Sequence, residues 1–540
     1  MINIKNQKEF YKNLSPFELK DKLIKMASVR SDHMILNAGR GNPNWVATKA
    51  REAYFLLGNF ALDEGRRNIS SYGIAGLPMA EGIGERFVEF CRFNSERVGT
   101  QFLADSYKYV TEELGINGDA FVLEMSNGIL GDNYPIPDRM LRISEKIVKT
   151  YINNTMFNSQ PPLGNIDIFA TEGGTAAMTY IFNTLKENFL INPGDKIAIG
   201  TPIFTPYLEI PVLNDYDLEI VEIKMQEELN WDFPDSELNK LNDPSIKAFF
   251  IVNPSNPTST SLSCKTLAKI ADLVNTSRKD LIILTDDVYG TFVDEFKSLS
   301  AVAPKNTILV YSYSKYYGCT GWRLGFIGIN ENNIIDEMIA ELPKNKRQGI
   351  HNRYESISTK PDNIKFIDRL VADSRAVALN HTAGLSTPQQ IMMMLFSLQE
   401  LLDTNSHLYK KEVKDLIKVR YEALYNSLGV SAPELPCYTM YYTNINIFKL
   451  AQQRLGIDFA NWLLNEHEPI DFVWNLAEKK GIVLMDGGGF AGPEMSVRVS
   501  LANLENTEYI KIGKGINDLL NEYHKEWHNK IVRYRYEKCI

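Results

Sequence analysis

Ser312-Tyr313-Ser314-Lys315-Tyr316-Tyr317-Gly318, preceded by Thr307-Ile308-Leu309-Val310-Tyr311 and followed by Arg323, is the stretch that decides the fold. The run before it is nearly all apolar, as in a strand buried on both faces of a mostly parallel sheet. The serines, lysine and glycine then read as the turn leaving that strand, at the sheet edge where ligands of open α/β sheets sit. Runs of the same kind recur at Ile166–Ala170, Lys196–Gly200, Leu218–Ile223, Lys247–Val252, Leu281–Thr285 and Leu324–Ile329, with helical patterns such as Ser263–Ser277 between some of them. This alternation predicts an α/β fold whose large domain holds a mostly parallel seven-stranded sheet.

Three more motifs fall at predicted strand ends. Gly173-Gly174-Thr175 follows a strand and opens a helix, where bare backbone N–H groups, a hydroxyl and the positive end of the helix dipole can close on an anion. Asp286, after Leu281–Thr285, can hold a ring nitrogen protonated, and Tyr289 three residues on can donate to an oxygen on the same ring. The Asp-x-x-Tyr spacing selects Asp286 over its neighbour Asp287. Asn256, in Asn253-Pro254-Ser255-Asn256-Pro257-Thr258, can donate to that ring oxygen, and Asn-Pro-Thr is the fuller match than Asn253-Pro254. An amine, a ring-nitrogen acid, oxygen donors and a phosphate cradle are together the parts that hold pyridoxal 5′-phosphate.

Two arginines fit a carboxylate substrate. Arg498 stands in the apolar strand Ser496-Val497-Arg498-Val499-Ser500-Leu501, and an arginine so flanked wants an anionic partner that its planar fork can grip. Arg40 lies between glycines in Asn37-Ala38-Gly39-Arg40-Gly41-Asn42-Pro43-Asn44-Trp45, where the backbone can approach a ligand closely. Gly487-Gly488-Gly489-Phe490-Ala491-Gly492 fits the GxGxxG dinucleotide pattern, but Pro493 and another strand follow it, with no helix to receive a pyrophosphate. It is expected to be a glycine loop near the site.

The 540 residues are 44% hydrophobic and 23% charged, an ordinary globular composition with a net charge of −9. Without clustered Lys and Arg, nucleic acid and anionic membrane are poor partners. Cys91, Cys264, Cys319, Cys437 and Cys539 are scattered, which predicts reduced thiols and no metal site. The polar stretch Met1 to Pro16 has no apolar core of a signal peptide, and no run is long enough to span a bilayer, so a cytoplasmic location is expected. The predicted organisation is an N-terminal segment and arm over 1–90, a mixed helix and loop insertion over 91–160, the large cofactor domain over 161–375, and interdomain helices with a smaller C-terminal α/β domain over 376–540. Within the insertion, Tyr134-Pro135-Ile136-Pro137 excludes a continuous helix.

The order Gly-Gly-Thr, Asn-Pro-Thr, Asp-x-x-Tyr, Ser-x-x-Lys, Arg323, late Arg498 resembles the fold type I pyridoxal-phosphate aminotransferases from about residue 35 to 510. The resemblance implies that Ser312, Arg323, Gly174 and Thr175 bind phosphate and that Phe204, in Thr201-Pro202-Ile203-Phe204-Thr205-Pro206-Tyr207, stacks on the ring. It implies too that Tyr72 reaches the phosphate of a neighbouring subunit, so the family's homodimer with shared active sites is expected. The Asn37–Trp45 stretch, the insertion with Gly131-Asp132-Asn133-Tyr134-Pro135, and the length are similar to the aspartate 4-decarboxylase family. That narrower resemblance implies conversion of L-aspartate to L-alanine and CO2 with side aspartate aminotransferase activity, and assembly of dimers into larger homo-oligomers. Lys315 would be the catalytic residue, Arg498 would hold the α-carboxylate, and Arg40 and Tyr134 are candidates for positioning the β-carboxylate. An amino-acid aminotransferase without decarboxylase activity stays open as the alternative. A non-catalytic regulator of this fold would lack the lysine or carry a fused DNA-binding domain.

Overall fold

The computed structural model describes residues 14, 16–30, 35–375, 384–403 and 406–538; the first thirteen residues and Cys539 lie outside them. Among the described residues the central sheet has seven strands: β1 (Ile166–Thr171), β2 (Lys196–Thr201), β3 (Glu219–Lys224), β4 (Ile246–Val252), β5 (Ile282–Asp286), β6 (Thr307–Ser312) and β7 (Gly325–Asn330). Their spatial order is β1-β7-β6-β5-β4-β2-β3. Only β7 runs antiparallel to its neighbours. The turn that carries Lys315 leads straight from β6 into β7, with no crossover helix to make them parallel. β5, β6 and β7 are buried along their whole length, as their apolar sequences require. The edge strand β3 instead exposes Glu219 and Lys224, charges that discourage edge-to-edge pairing.

Eight helices frame the argument: α1 (Thr48–Asn68), α2 (Gly118–Leu130), α3 (Arg142–Thr155), α4 (Gly174–Glu187), α5 (Cys264–Thr276), α6 (Thr387–Leu402), α7 (Leu408–Leu428) and α8 (Asn506–Lys538). α5 is capped by the Ser263 side chain, which accepts from the Thr266 N–H. α6 is apolar nearly all round, and it is buried against α1, α2 and α3. The stretch 92–159, hard to read from sequence, is therefore mostly helical. Tyr134 to Pro137 lies in the loop between α2 and α3, after Gly131 ends α2 at φ 69°.

A smaller antiparallel sheet, ordered β8-β10-β9, is built from β8 (Tyr442–Asn446), β9 (Met485–Asp486) and β10 (Ser496–Ser500), with α7 packed along α8. Just before β9, Ile482–Val483 forms a separate short piece that pairs in parallel with Leu36–Asn37. The loop after Asn37 is thus stitched to the C-terminal part by Ser500 N–H on Ala38 O (2.8 Å) and Asn44 N–H on Ala502 O (2.9 Å). It is also stitched to the lysine turn, by Ala47 N–H on Tyr317 O and the Trp45 indole N–H on Tyr316 O. No helix among the described residues is long and apolar enough to cross a membrane.

Candidate active site

A cavity of about 320 Å³ opens at the C-terminal ends of β4, β5 and β6 and the start of α4. Of the residues singled out in the sequence, Gly174, Thr175, Phe204, Asn256, Asp286, Tyr289, Ser312, Lys315 and Arg323 all line it. A larger cavity, about 610 Å³, lies beside α7. It holds none of these residues, and two of its three lysines, Lys410 and Lys414, are already paired with Asp294. The chemistry points to the smaller one.

Lys315 is half-buried, and its Nζ donates to the Gly41 carbonyl at 2.9 Å, so the Asn37–Trp45 loop borders the amine. Asp286 ends β5, buried; Tyr207 donates its hydroxyl to Oδ2 at 2.5 Å and the Val288 N–H donates to Oδ1 at 3.2 Å. Burial pushes its carboxyl up, while the Tyr207 hydroxyl, the Val288 N–H and the Lys315 charge pull it down. Asp287 is fully buried outside the cavity, bonded by the Thr285 hydroxyl, and burial pushes its carboxyl up to about 7. Successive side chains at a strand end take opposite faces, so only one of the two can serve the cavity. Phe204 and Val288 contribute apolar walls.

The turn expected to cradle an anion is kept open by its glycines. Gly173 has φ 88°, and a Cβ there would lie 2.5 Å from Nη2 of Arg323. Gly174 begins α4, leaving the first N–H groups of that helix unbonded within it. Arg323, at φ 56°, donates to Thr320 O and Glu172 O and keeps its guanidinium exposed beside Thr175 and Ser312, which share the cavity wall.

Arg498 is 1% exposed. Its partners are neutral: Asn256 Oδ1 at 3.0 Å, Gly39 O and Met485 Sδ, with the rings of Tyr442 and Phe490 at 4.3 and 4.8 Å. Nε has no partner, and among the described residues no carboxylate pairs with this guanidinium. Burial lowers its pKa. A buried cation without a counter-charge is costly unless an anion arrives to share it. Asn253, the competing asparagine, accepts from the Leu262 N–H and does not line the cavity.

Five expected residues do not line the cavity: Gly173 and Arg498 stand just behind it, against Arg323 and Asn256, and Arg40, Tyr134 and Tyr72 lie further out. Arg40 is exposed and makes no hydrogen bond or ion pair among the described residues, although Gly39 and Gly41 on either side bond Arg498 and Lys315. Tyr134 is 74% exposed on the α2–α3 loop, and Tyr72 is 104% exposed in the turn between Ser70–Ser71 and Ile74–Ala75. The glycine loop is a single 3-10 turn, Gly488–Phe490, and it abuts the site through Phe490. Sequence reasoning missed Tyr207 and Tyr442. Tyr207 was within reach, one helical turn past Phe204; Tyr442, whose hydroxyl accepts from Tyr289 at 3.0 Å, gave no local signal.

The model of the family described as aminotransferase class I and II matches residues 163–512. A Pseudomonas sp. protein called bifunctional aspartate aminotransferase and L-aspartate beta-decarboxylase is 47% identical over 95% of this chain and 97% of its own length. The aspartate aminotransferase of Pyrococcus abyssi is 31% identical over 40% of this chain and 53% of its own. Among solved structures, the aromatic aminotransferase of Pyrococcus horikoshii OT3 has a TM-score of 0.56 at 18% identity, covering 93% of this chain and 99% of that one. The aspartate aminotransferase of Thermus thermophilus with maleate has a TM-score of 0.54 at 16% identity, covering 95% and 99%. The solved structures share the fold, the family model spans the lysine and the three other strand-end motifs, and this chain belongs to the class I and II aminotransferases, which work with pyridoxal phosphate.

Proposed function

We propose that this chain removes the β-carboxylate of L-aspartate, giving L-alanine and CO2, and that it also acts as an aspartate aminotransferase. The observation that carries the reading is the 47% identity along 97% of a relative named for both activities. The unpaired, buried Arg498 beside the cavity supports an amino-acid carboxylate as the group bound there.

The donor set fits pyridoxal phosphate. Gly173, Gly174, Thr175, Ser312 and Arg323 would hold the phosphate, Asp286 the ring nitrogen, Asn256 and Tyr289 the ring oxygen, and Phe204 and Val288 the two ring faces. When bound, the cofactor supplies a carbonyl carbon for an amine and an electron-poor ring that accepts an electron pair released at Cα. Lys315, the one amine on the cavity wall, is the residue to take the Cα proton and return it. Asp286, whose carboxyl accepts from the Tyr207 hydroxyl and the Val288 N–H, can hold a proton on the ring nitrogen. Arg498 grips the α-carboxylate and fixes which bond at Cα stands ready to break. The Cβ–carboxylate bond breaks to release CO2 and Cβ takes a proton in its place. A tight ionic clamp on the β-carboxylate would favour its charged state and oppose that loss. Arg40, exposed and without a hydrogen bond or ion pair among the described residues, is the candidate for steering this group. Tyr134 would serve only from a neighbouring subunit.

The family's dimer fits Tyr72, around which Ile74, Leu77 and Met79 are 64%, 54% and 57% exposed, an apolar segment suited to cover by a second copy. Assembly of such dimers into a larger homo-oligomer belongs to the same reading, and so does a cytoplasmic location, to which the free thiols Cys91, Cys264, Cys319 and Cys437 are suited. The test is purified protein with added pyridoxal phosphate and L-aspartate, assayed for alanine without any keto acid acceptor. Alanine is expected; oxaloacetate alone would leave only the aminotransferase activity.

A further inference from the structure

Tyr442 opens β8, the strand paired antiparallel with β10, which carries Arg498. It is 2% exposed. Its ring lies under the Arg498 guanidinium at 4.3 Å, and its hydroxyl meets that of Tyr289 at 3.0 Å. A Cβ placed on Gly41 would collide with this hydroxyl and lie 3.5 Å from Lys315 Nζ, so one small space holds Tyr442, Gly41 and the amine. Packing alone would be served by phenylalanine. The hydroxyl therefore needs an account of its own.

We propose that Tyr442 is a positioning residue that joins Arg498 to Tyr289, its hydroxyl freeing the single Tyr289 proton for the ring oxygen of pyridoxal phosphate. This rests on the reading above that the cavity holds that cofactor. A phenol has one hydrogen to donate. In the structure Tyr289 gives it to Tyr442, whose own hydrogen has no acceptor among the described residues. An ionised ring oxygen only accepts. When Tyr289 turns its hydrogen to that oxygen, the Tyr289 oxygen becomes an acceptor for Tyr442, and both hydrogens are used. A hydroxyl that accepts a hydrogen bond is a stronger donor, so the pair stabilises the ionised ring oxygen more than Tyr289 alone. The same Tyr442 ring, like that of Phe490, lies against Arg498, which places substrate binding and cofactor polarisation on one side chain. Phenylalanine at 442 would keep the ring under Arg498 and leave Lys315 and Asp286 as they are.

The test is the visible absorbance of lysine-bound pyridoxal phosphate, titrated against pH in the full-length holoenzyme. For Tyr442→Phe the midpoint should rise by about one pH unit, the size of one hydrogen bond to a charged oxygen. The dissociation constant of succinate, a dicarboxylate probe, should stay near the wild-type value. Tyr442→Leu should raise the midpoint similarly and weaken succinate about tenfold through the lost ring face. Tyr425→Phe, which removes a buried hydroxyl paired with Thr443 at 2.7 Å, controls for loss of any buried tyrosine hydroxyl and should leave the midpoint in place. An unchanged midpoint in Tyr442→Phe, or the same rise in Tyr425→Phe, would overturn the proposal. A wild-type protein that gains no visible band with pyridoxal phosphate would overturn the cofactor reading beneath it instead.

Discussion

Asp286 and Asp287 are adjacent carboxylates at the end of β5, and replacing each with asparagine should have opposite consequences. Asp286 faces the cavity and is held by Tyr207 and the Val288 N–H, so Asp286→Asn removes the one acid placed to charge the cofactor ring. Loss of a preorganised electrostatic partner of this kind costs about 10²–10³ in kcat. Asp287 is sealed in the sheet with its carboxyl pushed up to about 7, mainly by burial. The folded protein therefore keeps the Asp287 proton up to about pH 7, whereas an unfolded chain loses it near pH 4. Between those values the folded state binds the extra proton, and stability falls as pH rises, by at most about 4 kcal/mol in all. Asparagine keeps an oxygen to accept from Thr285 and cannot ionise. Asp287→Asn should thus retain kcat within about threefold and flatten the decline in melting temperature between pH 4 and 7. Steady-state rates with aspartate and thermal melts across that range are the assays. If Asp287→Asn loses activity as severely as Asp286→Asn, the assignment of faces at this strand end is refuted.

Arg498→Lys should raise the KM for aspartate about 30- to 100-fold by removing the planar fork, and circular dichroism should confirm that the fold survives. Arg40→Gln should change the ratio of alanine to oxaloacetate formed from aspartate, read by chromatography; a fixed ratio would return Arg40 to a surface role. Tyr72→Phe should leave the melting curve unchanged, since Tyr72 is fully exposed in the single chain, yet weaken retention of pyridoxal phosphate on dialysis if a neighbouring subunit uses its hydroxyl.

Local sequence was enough for what depends on neighbours in the chain. All seven strands lie within one or two residues of the runs read from the sequence; the inner strands, buried on both faces, need nearly uninterrupted apolar sequence, while the edge strand β3 was legible despite its two glutamates. The choice of Asp286 followed from a three-residue spacing to Tyr289, and both residues line the cavity. The Asn256–Arg498 contact, between residues 242 apart, and the Tyr289–Tyr442 contact, between residues 153 apart, were beyond any spacing rule. Arg498 was found only because an arginine in an apolar strand is conspicuous; Tyr442 in such a strand is not. Arg40 was legible as a loop residue, but its direction depends on groups that join the site from outside the described chain or as ligand. Tyr134 and Tyr72 are exposed in the single chain, and cover by a second subunit, where it occurs, leaves no periodic mark in one sequence.

The most direct test of the central claim is the product of a single reaction: purified protein, pyridoxal phosphate and L-aspartate with the β-carboxylate isotopically labelled, and no keto acid added. The account predicts labelled CO2 and L-alanine in equal amounts, a rate that fades as some turnovers end in transamination, and recovery when pyruvate is supplied. Oxaloacetate as the product, with no alanine formed in the absence of a keto acid, would contradict it.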